Sequence, residues 1–533
     1  MCVSLFMLKL ACADLSEELV GGISAEQYYS NVDGFKDLTV AMYEPLFKYY
    51  GRENGSIITE TGTDIFKYGS GAREFMNHYN SALNPSSTGR GFRNIWIYFY
   101  RGINLANSVI DRADDAEGIT EEEKTRWIAE ARFLRAHYYH ILVLQFGDVH
   151  LTLEETIGVE TESNRTSEDE VWAVIKEDLE FAIDNLPEEQ SDIGRATANA
   201  ARHNLAYVHL IRENWQEAAD FAIEIIDSGL HELLDNYADV WDPYNSPGFP
   251  GPWHEEVIWG RPKNQDVRRA SNFQESRNFG PRVRTLAGVQ QVRPRRGQTT
   301  SRYKVTRFAL EEIFGNDPNN DSVNMWNDTR YHSTFKEVYF YNDESSLPSG
   351  AAIGDTAFYA PAAVHYQELT DDEVAAKPYM FLRIEDRRSQ LYAGPVDKFR
   401  HRDEKPWGRV IQVYRLAETY LIAAEALMML GNLGEAAEYF NVVRKRAEAP
   451  GYEIPLITPA DLNIDEILDE RARELFGEYR RWYDLKRTGT LLERVRAHNP
   501  DASPNIQEHH LLRPIPQDHI DRTTSDYPQN PGY

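Results

Sequence analysis

WIAEARFLRAHYYHILVLQFGDVHL, residues Trp127–Leu151, decides the fold. At helical period Ile128, Ala131, Phe133, Leu134, Tyr138, Ile141, Leu142 and Leu144 cover most of the circumference. A helix that is apolar on nearly every side must be packed on nearly every side, so this run reads as a central helix of an all-helical stack. Gly147 in Phe146-Gly147-Asp148 is its stop, because glycine enters the left-handed region without steric cost. His137 and His140 share a face, but no Glu or Cys stands in register with them, so they read as packing and not as a metal pair.

The 533 residues exceed the usual span of one hydrophobic core, which predicts an extended array or two subregions. With 57 Lys and Arg against 85 Asp and Glu, the net charge of −28 argues against general nucleic-acid binding. The two cysteines, Cys2 and Cys12, both precede the first helical signal and can build neither a disulfide framework nor a Cys-based zinc or iron–sulfur site. No apolar run reaches the length of a membrane-spanning helix. The start, MCVSLFMLKLACADLSEE, is short, apolar and lightly basic, has Ala11 before Cys12, and then turns acidic. It reads either as the shortened tail of a secretory signal ending at a lipid-modified Cys12, with Lys9 departing from the usual cleavage box, or as a plain disordered N-terminus.

The chain repeats itself. Leu205–Ile226 aligns without gaps with Ala423–Arg444: Trp215 meets Leu433, Glu217 meets Glu435, and Ala218-Ala219 meet Ala436-Ala437. Each copy is a helix, a tight polar turn (Glu213-Asn214 or Gly431-Asn432) and a second helix opening on paired alanines, which let two helices approach closely. That is the core of a tetratricopeptide unit. Two more hairpins are predicted upstream, Phe92–Asp114 with Glu121–Phe146 and Ser167–Asn185 with Thr197–Ile211. Thr166-Ser167 ahead of Asp169-Glu170 supplies a start signal, and Leu186-Pro187 a stop. From about Ser228 to Lys405 the helical period fades and Pro, Gly, Asn and isolated aromatics take over. Such a length predicts an ordered, loop-rich insertion that carries function.

The expected organisation is therefore a signal region (1–11), an N-terminal helical scaffold (12–230) with a ligand-side loop near 50–95, a variable insertion (231–405), and a helical C-terminal part (406–533).

AEARFLRAHYYHILVLQFGDVHL, together with WIYFYRGINLANSVID (Trp96–Asp111) before it, resembles the signature helices of the SusD/RagB family. YRLAETYLIAAEAL (Tyr414–Leu427), ERARELFGEYRRWYDLKRTG (Glu470–Gly489), LRPIPQDHI and the closing QNPGY resemble its C-terminal half. The likeness runs in order from Ile23 to the end of the chain. It implies an all-α fold of tetratricopeptide-like helix pairs holding a variable, glycan-binding region. It also implies a lipid on Cys12, a surface-exposed place on a Bacteroidetes-type outer membrane, and a SusC-like TonB-dependent transporter as partner. The implied role is capture and delivery of oligo- or polysaccharide, with no catalysis and no cofactor.

Sugar rings stack their C–H faces on flat aromatics, and their hydroxyls need planar donors and acceptors. Candidate contacts on that chemistry are Asp64, Tyr68 and Arg73 in Thr61–Phe75, Trp96 at the start of its helix, and Trp241, Tyr244, Trp253, Trp259 and Trp326 in the insertion. Between Arg261 and Arg307 thirteen basic residues face only Asp266 and Glu275. Arginine pairs bidentately with carboxylate and sulfate, so Arg293, Arg295 and Arg296 are candidates for an acidic glycan. The same stretch also fits internal neutralisation of acidic helices, or docking on an acidic partner. Asp317, Asn319, Asp321 and Asp328 have calcium-loop spacing, but Ser322 stands where the loop needs glycine, so a polar turn is the favoured reading. Two other classes remain: a cytosolic or periplasmic tetratricopeptide scaffold for protein partners, and a glycoside hydrolase, which needs two carboxyls facing each other across a cleft.

Overall fold

Helices begin and end where capping chemistry dictates. In the computed structural model, which describes residues 24–69, 73–87, 91–242, 253–261, 274–281, 283, 286–290, 300–317, 319, 322–384, 396–399 and 410–533, helix α1 spans Phe92–Arg112 and α2 spans Glu121–Phe146. Thr120 caps α2 in a reciprocal box with Glu123, satisfying two backbone N–H groups that the first turn leaves open. Gly147 ends it at φ 70°, ψ −129°, with Leu512 lying where a Cβ would point. From Ala129 to Phe146 every residue of α2 except Arg132 is buried. Each large apolar side chain so removed from water contributes roughly 1.5–3 kcal/mol.

Three further helices complete the N-terminal pairs: α3 (Glu168–Asn185), capped by Ser167 on the Glu170 N–H, α4 (Ala198–Ile211), capped by Thr197, and α5 (Trp215–Asp227). After the insertion come α6 (Leu416–Met429), α7 (Leu433–Arg446) and α8 (Ile464–Glu474). Neighbours in sequence pack as hairpins, and α5 also packs along α6, so the two copies of the repeat meet face to face. Ala218, Ala219, Ala436 and Ala437 are all buried in the second core, as small residues at a close helix crossing must be. The turns differ instructively: Gly431 has φ 84°, while the equivalent Glu213 holds φ 59° with a side chain attached.

His137 and His140 belong to the core. Tyr50 and Tyr414 hydroxyls lie 3.2 and 2.8 Å from the two nitrogens of His137, and Asn204 Oδ1 lies 2.9 Å from His140 Nδ1. Burial pushes both imidazoles toward the neutral form, His140 down to about 4.

The strands are short and serve as stitches. β1 (Phe66–Tyr68) will be seen below to bind the insertion back to the scaffold. β2 (Val257–Arg261) is antiparallel to a strand at Ile411–Arg415, directly ahead of α6. A lattice of buried charge completes the junction. Arg415 donates to Glu256 (2.9 Å), Glu474 (2.6 Å) and Glu478 (2.8 Å), and Arg330 to Asp328 (2.6 Å), Glu470 (2.7 Å) and Glu474 (3.2 Å). Asp328 also caps the short helix Thr329–Thr334, so this carboxylate is held inside the fold, while Asp321 lies outside the described residues.

Candidate functional site

Two stretches far apart in sequence meet at β1. It pairs antiparallel with β3 (Tyr303–Val305), in the register Phe66↔Val305, Lys67↔Lys304, Tyr68↔Tyr303. This joins Thr61–Phe75 to the end of the arginine-rich segment. Beneath the pair, Glu53 is 1% exposed, and its Oε1 accepts Arg73 Nη1 at 2.7 Å and faces Arg302 Nε at 3.6 Å. The guanidinium side chains of Arg73 and Arg302 stay about one-fifth exposed (21% and 22%). One buried carboxylate thus steers two planar cations that stay partly exposed, each carrying five N–H donors. Tyr68 lies between them: burial pushes its hydroxyl up in pKa, and Arg302 and Arg73 oppose that. Alongside, Asn94 donates to Asn54 (3.3 Å), Asn54 donates to Lys48 O (2.9 Å), and the Lys48 ammonium sits 5.5 Å from the Tyr98 ring centroid. Planar amides, guanidinium groups and an aromatic ring side by side suit hydroxyl-rich or anionic ligands.

The other candidates fall into distinct places. Asp64 is wholly buried, accepting Arg481 at 2.8 and 2.6 Å and Arg494 at 2.9 Å. Burial alone would raise its pKa, but the two guanidinium groups outweigh that and lower it. Trp259, 1% exposed, is enclosed by Phe133, His137 and Tyr414 and donates its indole N–H to Gly194 O (3.1 Å). Trp241, 5% exposed, donates to Glu478 (3.1 Å) and packs against Phe399. Trp96 packs between Phe146 and His519, both with centroids at 4.9 Å. The expectation of exposed stacking faces is therefore corrected for Trp259, Trp241, Trp96 (4% exposed) and Tyr68 (5% exposed), and Asp64 is corrected from ligand contact to scaffold carboxylate. Trp253 is half-buried against Gly260. Trp326 is half-buried too, and its shielded indole N–H has no hydrogen-bond partner among the described residues. Tyr244, Arg293, Arg295 and Arg296 lie outside the described residues.

Part of the arginine-rich stretch is spent inside the protein. Arg261 is 2% exposed, donates to Tyr50 O (3.0 Å) and stacks 4.2 Å from the Phe47 centroid. Arg307 by contrast stays exposed (67%) and pairs with Glu311, one turn on, at 2.5 Å. Trp241 lines a cavity of about 890 Å³ together with Tyr237, His332, Lys336 and Lys398. Lys398 is structural there: its ammonium group lies 2.6, 3.1 and 3.4 Å from Glu478, Phe476 O and Glu474 O, and burial pulls its pKa down to about 8.

The insertion also carries a cluster of tyrosines that its tryptophans do not mark. Strands β4 (Val338–Phe340), β5 (Thr356–Tyr359) and β6 (Met380–Phe381) form one sheet, and β7 is the Ile411–Arg415 strand already described. Half-buried Tyr359 sits 5.4 Å from Tyr366 and 6.3 Å from Tyr379 between ring centroids. The recurring tyrosines of VYFY, AFYA, VHY and PYMF were the available signal.

A stack of tetratricopeptide-like helix pairs, stitched to a loop-rich unit with partly exposed arginines and tyrosines, defines a helical-repeat scaffold with a recognition face. The chain belongs to the SusD family: that family's sequence model matches residues 255–533, and a second, described as "Starch-binding associating with outer membrane", matches 36–210. It is 28% identical to SusD-like protein P25 of Formosa agariphila, over 94% of this chain and 92% of that protein. It is 26% identical to the starch-binding protein SusD of Bacteroides thetaiotaomicron, over 76% of this chain and 71% of that one. Among solved structures, a laminarin-binding SusD-like protein superposes with a TM-score of 0.66 at 24% identity, covering 95% of this chain and all (100%) of that one. Surface glycan-binding protein A of Bacteroides thetaiotaomicron gives 0.68 at 22%, with 95% and 100% covered. At these identities the superpositions speak to the fold.

Proposed function

We propose that this protein binds glycan at the outer-membrane surface, anchored through a lipid on Cys12, and hands oligo- or polysaccharide to a SusC-like TonB-dependent transporter. It does no chemistry on the ligand. Membership of the SusD family carries the reading, and several matched relatives are named for starch, laminarin or surface-glycan binding. The lipid gives one membrane attachment and the barrel a second, which suits the marginal hold of a single acyl signal.

The face around Glu53 is where we place the ligand. Arg73 and Arg302, two partly exposed guanidinium groups around one buried carboxylate, favour an acidic glycan such as a uronate polymer. Retention on immobilised neutral and acidic polysaccharides, each at low and high salt, tests this. Retention by an acidic polymer that weakens with salt, and that falls in Arg73→Ala and Arg302→Ala, is the expected result. Salt-indifferent retention by neutral polymers alone removes the acidic assignment. No retention by any polymer removes the function.

A further inference from the structure

Away from the Glu53 face, a groove of about 480 Å³ opens beside α1, within the ~300–1,000 Å³ range of small-molecule sites. Its floor is one helical stripe: Trp96, Tyr100 and Asn104 recur every fourth residue and so share a face. One wall is the segment from His150 to Ser163. The other is the turn from Pro516 to Thr523. The walls are tied to each other by Thr524 N–H to Thr161 O (2.8 Å) and Ser163 N–H to Ser525 Oγ (2.9 Å), so the groove is braced.

The lining is aromatic and polar, with Glu160, Glu162, Asp518 and Arg522 as its charged members. Tyr100 is half-buried with its hydroxyl donated to His150 O (2.8 Å), and the Tyr100 and His150 rings lie 6.4 Å apart at 30°. Asn104 Oδ1 accepts the Thr156 N–H (2.7 Å), which leaves the amide's two N–H donors for a ligand. Thr523 and Ser163 hydroxyls sit 3.1 Å apart, with His519 Nε2 3.5 Å from Ser163 Oγ. Burial keeps His519 neutral, its pKa pulled down to about 4, so its ring offers a donor and an acceptor. At the rim Arg93 pairs with Asp518 (2.6 Å), and the exposed Glu160, Glu162 and Arg522 also line the groove, so its balance leans negative. The half-buried Tyr100 and His150 rings for C–H stacking, mixed donors and acceptors for hydroxyls, and a lining with more carboxylates than cations match a neutral sugar better than an acidic one.

We infer that this groove is a second saccharide subsite, taking neutral pyranose units of a short oligosaccharide. The inference rests on the proposed glycan-binding function and assigns a separate place and a separate ligand charge.

Hydrogen–deuterium exchange of the whole chain, with neutral glucose hexamers of α-1,4, β-1,3 and β-1,4 linkage as probes, tests it alongside titration of Asn104→Leu and Lys176→Ala. The expected result is slowed exchange over 150–163 and 516–525 with at least one hexamer. Asn104→Leu should weaken that hexamer about tenfold or more, as lost polar contacts do, while Lys176→Ala, on the exposed side of α3, leaves it unchanged. A hexamer that binds without protecting those segments overturns the subsite and leaves the function standing. The subsite is also overturned if the segments are protected by a purified barrel transporter but by no hexamer, for the groove is then a protein interface. If neither hexamers nor any polysaccharide of the retention screen bind, both readings fall.

Discussion

Replacing Arg415 by methionine removes the hub of the buried charge lattice. Arg415 is 1% exposed and serves Glu256, Glu474 and Glu478 at once, with Glu474 O as a further acceptor at 2.6 Å. Burial pushes Glu474 upward, but Arg446, Arg415 and Arg330 outweigh it and hold the carboxyl down at about 2. Relative to an unfolded glutamate, that depression amounts to about 3 kcal/mol of stability at pH 7. Because the folded pKa is the lower one, this stability is fully present above the unfolded value and is lost as pH falls from about 4.3 toward 2. Arg415→Met leaves three carboxylates short of a partner and should cost about 3–5 kcal/mol at pH 7, the range for breaking a buried pair from one side. In the variant the orphaned carboxyls shift up and take protons as the pH drops, so the gap to the parent should narrow below about pH 5. Urea unfolding of both proteins at a series of pH values reads this out. A cost under 1 kcal/mol at pH 7, or a gap indifferent to pH, would refute the reasoning.

Three other outcomes follow from the fold. Glu213→Gly relieves a left-handed side chain at φ 59°, offset in part by glycine's backbone entropy, and should raise stability by about 0.5–1 kcal/mol in denaturant midpoints. Gly147→Ala forces a Cβ into φ 70°, ψ −129°, 3.2 Å from Leu512, and should cost about 1–3 kcal/mol by the same measurement. Asp64→Asn leaves Arg481 and Arg494 underpaired and should cost about 3–5 kcal/mol while glycan affinity of the folded protein holds; unchanged stability with lost affinity would make Asp64 a ligand contact after all.

What the sequence made legible was local. The all-round apolar period of Trp127–Phe146, the Ser167 cap, the Gly147 stop and the paired alanines act within a turn or two, and the structure has them. The candidate site depends on long-range pairing, and there the reading thinned. Nothing near Asp64 announces Arg481, 417 positions on, and nothing near Arg73 announces that it shares Glu53 with Arg302. Trp259 looked like a loop tryptophan because its surroundings are rich in Pro and Gly. It lies on β2, which pairs with a strand beside the C-terminal repeat and is buried along its length. Composition, too, mixed two uses of arginine: Arg261 is sealed inside the fold, while Arg302 reaches a partly exposed face.

The central claim is capture without chemistry. Equilibrium titration of the protein with an oligosaccharide retained in the screen, followed by release and mass analysis of the sugar, tests it most directly. Saturable binding with the oligosaccharide recovered at its original length is the result the account predicts. Shortened products that accumulate with time and protein concentration would contradict it and make the chain an enzyme.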